Sequence, residues 1–370
     1  MNTVSSQLVI LLGIAVTCSL AEAGESSGVV LREYFYDTAP YPECHASTIE
    51  ETPRGLVAAW FGGTEEKHPD VGIWVSRQIN GKWTQSVEVA NGVQYTLTDG
   101  TVVRHPTWNP VLFQYPDGPL MLYYKCGPSP DTWWGMVMQS SDCGESWTSP
   151  VRLPEHIDGP VRNKPLLLAN GTLLCGSSTE YDGWRVHFEL TRDQGKSWER
   201  TPVVNDGKSV GAIQPTILKH TDGSLQALCR NQNGNGKILS TISRDLGRSW
   251  SNLESIELPN PNSGIDAVTL SDGQFLLVYN HTIRGGESPK GRELLNVAVS
   301  KDGTHWNAVA VLENTPRGEF SYPAVIQSRD GKVHITYTWQ RKKIVHVEMD
   351  PQQFKPIPIV NGEWPEQVSQ

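Results

Sequence analysis

Residues 222–250 read DGSLQALCRNQNGNGKILSTISRDLGRSW, and two signals in this stretch recur along the chain. The first is Asp222-Gly223, placed just before the apolar run LQALCR. Asp-Gly or Asn-Gly between apolar runs is the strongest short-range mark of a β-hairpin, because type I′ turns need positive φ. The phrase returns at Asp117-Gly118, Asn170-Gly171, Asp272-Gly273 and Asp330-Gly331, with Arg54-Gly55 as a variant. The six glycines stand 63, 53, 52, 50 and 58 residues apart. The runs beside them (LMLYYKC, LLCGSS, LQALCR, FLLVYN, VHITYTW) carry the aromatic and β-branched residues that suit strands.

The second signal is Ser243-x-Asp245-x-Gly247-x-x-Trp250. It recurs from Ser140 to Trp147 and from Thr191 to Trp198, one residue shorter from Ser300 to Trp306, and in degenerate form from Ser76 to Trp83. In such a box the aspartate can accept turn amides, the glycine supplies an unusual φ, and the tryptophan packs between sheets. The boxes are therefore read as structural. Hairpin, box and further strand at a period of about 50 residues describe a propeller or solenoid, and closure removes exposed sheet edges. The expected fold is all-β: a six-bladed β-propeller of four-stranded antiparallel sheets with Asp-box turns. Either Val29 to Tyr36 or Ile344 to Met349 should complete the last blade. One domain then covers residues 25–360, with 361–370 as a C-terminal tail.

Composition agrees and narrows the function. The 370 residues include 34 Gly, 25 Pro and 13 Trp, and their mean hydropathy is −0.38, as in a globular β protein. There are 31 basic and 40 acidic residues, a formal charge of −9, and no basic run, which argues against nucleic-acid phosphates as a partner. Leu8 to Leu20 is apolar but too short to span a bilayer, and Ala21-Glu22-Ala23 follows as a small-x-small cleavage signature. A signal peptide over residues 1–23 and a secreted or periplasmic protein without a membrane span are expected. The remaining five cysteines leave at least one free thiol, and Cys126, Cys175 and Cys229 read as small buried hydrophobes. No CxxC, zinc spacing, HExxH, GxSxG or phosphate-cradling loop is present, so neither metal nor cofactor is expected.

The Asp boxes, their place between strands and the six-fold period resemble the sialidase superfamily of BNR, or Asp-box, repeat proteins. The resemblance spans nearly the whole mature chain. It is specific for fold and only suggestive for substrate.

The repeat also supplies a register. Counting back from the turn glycines to the start of each preceding strand gives His45, Asn109, Lys164, Gln214, Asp266 and Tyr322, four of them before proline. Counting seven forward gives Gly62, Lys125, Ser178, Arg230, Asn280 and Thr338. Hairpin-linked strands place both sets at one end of the propeller. His105, Arg162, Glu180, Glu319, Trp339 and Arg341 join that rim. Arg230 and Arg162 are the candidates for carboxylate recognition, since guanidinium pairs bidentately with planar anions. Trp108 and Trp339 are the candidates for stacking on sugar faces.

The resemblance implies a tyrosine nucleophile at the start of the last inner strand, and Tyr322 in EFSYPAVIQ matches that context. Arg230 matches one arginine of a carboxylate-binding triad. The remaining positions depart from the pattern. Gln214 stands where an activating glutamate is expected, so Glu319 or another acid would have to substitute. His45 stands where the first blade supplies an arginine, and the fifth blade shows Asn280-His281-Thr282 instead of the third. Asp70 or Glu65, in GGTEEKHPD, would serve as acid/base. These residues point to an exo-glycosidase, acting as a monomer on an acidic oligosaccharide or polysaccharide. Two alternatives stand beside it. His45 or His105 with Tyr322 and Arg230 would also suit β-elimination at a uronic acid, and the second alternative is a propeller that binds glycan without turnover.

Overall fold

The computed structural model describes residues 28–232, 236–283 and 291–369. The leader expected over residues 1–23 lies outside them. Among the described residues six antiparallel blades follow one another along the chain, with a two-stranded ribbon of Val93–Thr96 and Val102–Arg104 between the first and the second. Blade 1 runs from Glu43–Thr52 through Gly55–Gly63 to Gly72–Ile79, with Lys82–Trp83 and Val87–Ala90 both on its outer side. Blade 2 holds Thr107–Gln114, Leu120–Cys126, Trp134–Ser140 and Val151–Arg152. Blade 3 holds Leu166–Leu167, Leu173–Thr179, Arg185–Thr191 and Glu199–Arg200. Blade 4 holds Ala212–Lys219, Leu225–Asn231, Lys237–Ser243 and Glu254–Pro259. Blade 5 holds Asp266–Thr269, Phe275–Tyr279, Leu294–Ser300 and Trp306–Asn314, extended by Ile357–Pro358.

Blade 6 closes the ring. Phe320–Gln327, Val333–Trp339 and Lys343–Met349 receive Val29–Tyr34 as their fourth, antiparallel strand. Both runs posed as alternatives for closure thus sit in this one sheet, the early one pairing with the late one. The strands read as nearly unbroken apolar runs because both faces are covered. Separate cores lie between consecutive blades: Leu122 and Tyr124 with Ala59 and Phe61, Tyr123 with Cys175, Phe188 with Ala227, Leu228 with Phe275, and Val297 with Tyr337. Phe35, Trp60 and Ile344 fill the seam between blades 6 and 1. The last residues lie against blade 5, where Trp364 meets the His281 ring at 5.1 Å. No helix among the described residues is long and apolar enough to cross a membrane.

The boxes do what their residues suggest. Asp245 accepts from the amides of Arg248 (3.1 Å) and Ser249 (2.9 Å), while Gly247 N donates to Ser243 Oγ at 2.9 Å. Trp250 then stacks on Phe188 of the neighbouring blade at 3.8 Å and 11°. The hairpin turns differ from the type I′ expectation. At Asp222-Gly223 only the glycine has positive φ (+86°), and His220 N bonds Ser224 O at 2.9 Å. This is a type I turn followed by a bulge glycine, which also matches strand twist.

Candidate active site

Most of the inner strands break register at one level. The pairing skips between His45 and Thr48, between Ile213 and Thr216, and between Ser321 and Ala324. Inside these bulges sit Ala46 (φ 56°), Gln214 (58°) and Tyr322 (55°), and Asn109 (40°) occupies the matching place in blade 2. A bulge re-aims a side chain, and the proline that follows Asn109, Gln214 and Tyr322 cannot donate to the ladder anyway. Each of these residues lies nine positions before its turn glycine, a spacing that selects Arg162 in blade 3 and Gly264 in blade 5. The sequence register is therefore corrected in three blades: Ala46 replaces His45, Arg162 replaces Lys164, and Gly264 replaces Asp266. On the forward side of blade 1, Phe61 and not Gly62 takes the place of Arg230 and Thr338, because that hairpin is shorter.

Lys164 and Asp266 belong to the next tier down, where they form a clasp. Lys164 Nζ donates to Asp266 Oδ2 at 2.9 Å, and the same carboxylate accepts from Thr216 Oγ1 (2.8 Å) and Val325 N (2.8 Å). One buried carboxylate so ties blades 3, 4, 5 and 6 at the axis, and its oxygens are committed to the fold.

Tyr322 is the centre of the upper tier. Its hydroxyl accepts from Arg230 Nη1 at 2.7 Å and from Gln214 Nε2 at 3.4 Å. The guanidinium groups of Arg162, Arg230 and Arg292 lie 5.1, 5.7 and 5.8 Å from its ring centroid. Gly264 faces the ring, and a Cβ there would come 3.3 Å from Tyr322 Cδ2. Burial works to raise the phenol's pKa, but the charges of Arg230 and Arg292 and the Gln214 hydrogen bond outweigh it, leaving the pKa below the ordinary tyrosine value. Burial pushes Tyr41, Tyr123, Tyr124, Tyr279 and Tyr337 the other way.

His45 packs against the tyrosine, ring centroids 4.1 Å apart, and its Nδ1 lies 2.9 Å from Thr338 Oγ1. Burial, reinforced by Arg341, Arg292, Arg162 and Arg230, holds its pKa well below the ordinary value, so the ring is neutral. Tyr322, Arg230, Arg162, Gln214 and His45 are thus brought together as the register requires of one funnel.

Two further arginines complete the wall. Arg341 occupies a tight hairpin in which Gln340 (φ 52°) and Arg341 (φ 58°) both have positive φ and Lys342 N bonds Trp339 O at 3.0 Å. Its carbonyl accepts from Cys44 N at 2.8 Å, so it stands beside the blade 1 strand that lacks an arginine. Arg292 enters just before Leu294–Ser300. Glu319 bridges the two: Oε1 accepts from Arg341 Nε at 2.9 Å and Arg292 Nη1 at 3.0 Å. Burial raises the Glu319 pKa, the two guanidinium groups lower it more, and the net shift is down. Glu319 is engaged with the arginines and not with the phenol. Glu66 makes an ion pair with Arg341. Burial keeps Glu180 protonated to higher pH than an ordinary glutamate, despite the opposing charge of Arg230, and Asp131 and Glu66 add to the shift.

Arg292 and Glu66 were not singled out by sequence. Arg292 lies beyond the hairpins from which positions were counted, while Glu66 adjoins Glu65 in the first-blade loop. Four other expected site residues are corrected by placement. Asp70 caps its own loop, accepting from Thr64 N at 2.9 Å and Thr64 Oγ1 at 2.6 Å. Trp108 is buried, its Nε1 bonded to Gly127 O at 2.9 Å, and Trp339 packs on Tyr34 at 5.7 Å. Trp184, half-buried and 5.0 Å from the Arg230 guanidinium, is the aromatic nearer the site. His105 packs edge-on against Trp134 at 5.8 Å, and among the described residues no hydrogen bond or ring contact joins it to Tyr322. Asp158, His187 and Glu189 bring one ligand atom each to within 4.8 Å of the others, but the buried Lys125 ammonium beside them already supplies positive charge. All five cysteines of the described residues are free.

The model of the family described as BNR repeat-like domain matches residues 54–335. A sialidase of Bacteroides fragilis (strain YCH46) is 23% identical over 186 residues, 45% of this chain and 32% of the relative, so the match spans about a third of that protein's length. Among solved structures, a protein of unknown function from Dyadobacter fermentans superposes with a TM-score of 0.69 at 17% identity, covering 87% of this chain and 98% of the other. The NanB sialidase of Streptococcus pneumoniae gives 0.67 at 12%, covering 89% and 71%. The intramolecular trans-sialidase of Ruminococcus gnavus gives 0.67 at 14%, covering 90% and 99%. At these identities the structural likeness is one of fold.

Proposed function

We propose that this chain, which belongs to the BNR repeat-like family and to the sialidase superfamily, is an exported glycosidase that cleaves next to a terminal carboxylate-bearing sugar of the sialic-acid kind. The observation that carries the reading is a single phenol, Tyr322, ringed by guanidinium groups at the axis of the propeller. Arg230, Arg292 and Arg341 hold the sugar carboxylate, with Arg341 doing from blade 6 what an arginine of blade 1 would do. Glu319 fixes the spacing of two of them.

Tyr322 attacks the anomeric carbon. Its oxygen forms the new C–O bond as the bond to the leaving oxygen breaks, and a proton passes to that oxygen from Glu180, whose carboxyl burial holds above the ordinary glutamate value. Water then displaces the tyrosine and returns the proton. Gln214 cannot accept the phenolic proton as a carboxylate would, so ionisation rests on the cations, whose field favours the phenolate. A neutral or cation-stabilised tyrosine also meets an anionic sugar without the repulsion a carboxylate nucleophile would feel.

The hydroxyl's hydrogen-bond partners, Arg230 and Gln214, include no carboxylate among the described residues, which favours a second reading, elimination at a uronic acid, with the Tyr322 phenolate removing the proton beside an arginine-neutralised carboxylate and returning it to the departing glycosidic oxygen. One assay separates them. Purified protein incubated with sialylated and uronate-bearing glycans should yield fragments whose summed mass exceeds the substrate by one water. An unsaturated product without that gain selects elimination, and binding without turnover sinks both.

A further inference from the structure

Arg162 reaches Tyr322 from a segment that forms no strand of its own and meets its sheet through the Val161 N bond to Gly176 O. The inner strand of blade 3 is only Leu166–Leu167, and residues 158–165 run outside any strand. A cluster of buried ionisable groups fastens this segment instead. Glu189 accepts from Asp158 N (3.0 Å) and Gly159 N (2.6 Å), and its Oε1 lies 2.9 Å from His187 Nε2. Lys125 Nζ donates to Pro160 O at 2.9 Å, and Val161 N donates to Gly176 O at 3.1 Å. Next in the chain comes Arg162, whose Nη2 donates to Pro323 O at 2.8 Å and also to the carbonyl of Tyr322. Among the described residues Arg162 Nε and Nη1 have no hydrogen-bond partner, so the segment's backbone, these two carbonyls and the Tyr322 ring decide where its charge sits.

Lys125, Glu189 and His187 are fully buried, and no step of the proposed chemistry uses them. Keeping such charges from water is costly and is tolerated only where each is matched. Burial lowers the Lys125 ammonium to about 8 against the pull of Asp158 and Glu189, and burial with the Glu189 charge raises Asp158 to about 6. A well-packed apolar seam would hold blades 2 and 3 together at less cost. What apolar side chains cannot do is fix the amides and carbonyl of residues 158–160.

We propose that Lys125 and Glu189 are positioning residues for Tyr322, acting through the 158–162 backbone and the guanidinium of Arg162. This rests on Tyr322 being the reactive group, but its test does not need turnover. The ionisation of Tyr322 is read as the ultraviolet titration difference between the full-length protein and its Tyr322→Phe variant. Arg162, Arg230, Arg292, His45, Gln214 and Glu66 face the phenol, and only Arg162 is displaced by the mutations chosen.

Glu189→Gln is expected to weaken Tyr322 ionisation about tenfold, a midpoint about one pH unit higher. Arg162→Gln should do the same, and combining the two should add nothing further, since both remove one influence. Lys125→Met/Glu189→Gln, which deletes both charges together, covers the case in which a single unmatched charge prevents folding. Pro160→Gly loosens the same segment with every charge retained. An unchanged midpoint in a cooperatively melting variant, or full additivity with Arg162→Gln, overturns the proposal. Loss of the functional reading would look different: Tyr322→Phe would keep its turnover while the titration shifts stood.

Discussion

Tyr322 holds a backbone conformation that an aromatic residue seldom adopts, with φ at 55° in front of a proline. Such a residue costs on the order of 1–3 kcal/mol and persists where the surroundings over-determine it. Here they do: Pro323, the bulge, the Arg162 bonds to two carbonyls and the open face left by Gly264 all act on one residue. Tyr322→Phe is expected to abolish turnover with the melting temperature nearly unchanged, and a phenylalanine variant that still turns over would remove the hydroxyl from the mechanism. Arg230→Lys keeps the charge but loses the fork. It should weaken binding of acidic glycans about tenfold or more and leave neutral ones alone, measured by calorimetric titration; equal losses on both would contradict carboxylate recognition. Tyr322, Arg230 and Gln214 were legible in the sequence because strand and turn together set their register. Arg292 and Arg341 were harder, since one lies beyond the positions that the hairpins count and the other depends on which neighbouring strand its hairpin touches.

The hairpin from Trp339 to Lys342 and the box turns show how elements divide the work between site and stability. Two successive left-handed residues, neither of them glycine, make the Gln340-Arg341 turn, and the gain is an arginine held against Glu319 and Glu66. The box turns face away from this chemistry. Asp193 accepts from Ser197 N at 2.8 Å and Ser197 Oγ at 2.6 Å, which lowers its carboxyl to about 2. Asp193→Ala should therefore lower the melting temperature while kcat on any substrate found stays constant. Trp250→Ala should cost about 2 kcal/mol by opening the seam against Phe188; a wild-type denaturation midpoint would show that the stack contributes nothing. The boxes of Asp142, Asp193, Asp245 and Asp302 were legible to the residue, whereas Ser76 of the degenerate copy lies mid-strand and donates to Thr84 O. The turn type was not, because type I with a bulge glycine and type I′ share the Asp-Gly signature.

Closure and charge are properties of the whole ring. Val29–Tyr34 covers the edge of Lys343–Met349, so removing residues 28–36 should expose that edge and abolish the single cooperative melt; a truncated chain that melts as sharply as the intact one would contradict this. Acid should act on the whole molecule as well. Burial depresses His281 and His334 to about 4, so they stay neutral in the folded chain while the unfolded chain takes up protons below about 6.5. Stability should fall as pH drops from about 6.5 to 4, by on the order of 3 kcal/mol for each of the two; their contribution levels off below, where carboxyls held low in the fold, such as Asp193, continue the loss. Melting temperatures that stay flat across that window would show that these histidines are protonated in the fold.

The amino-acid sequence alone determined the number of blades, the hairpin ends and the side on which Tyr322 and Arg230 meet, because turn chemistry and strand periodicity act over a few residues and repeat. Only the tertiary structure decided that Ala46, Arg162 and Gly264 complete the upper tier, that Lys164 and Asp266 clasp each other below it, and that Arg341 stands beside blade 1. A bulge or a hairpin one residue shorter shifts a side chain to a different level, and that shift is set by packing between blades far apart in the chain.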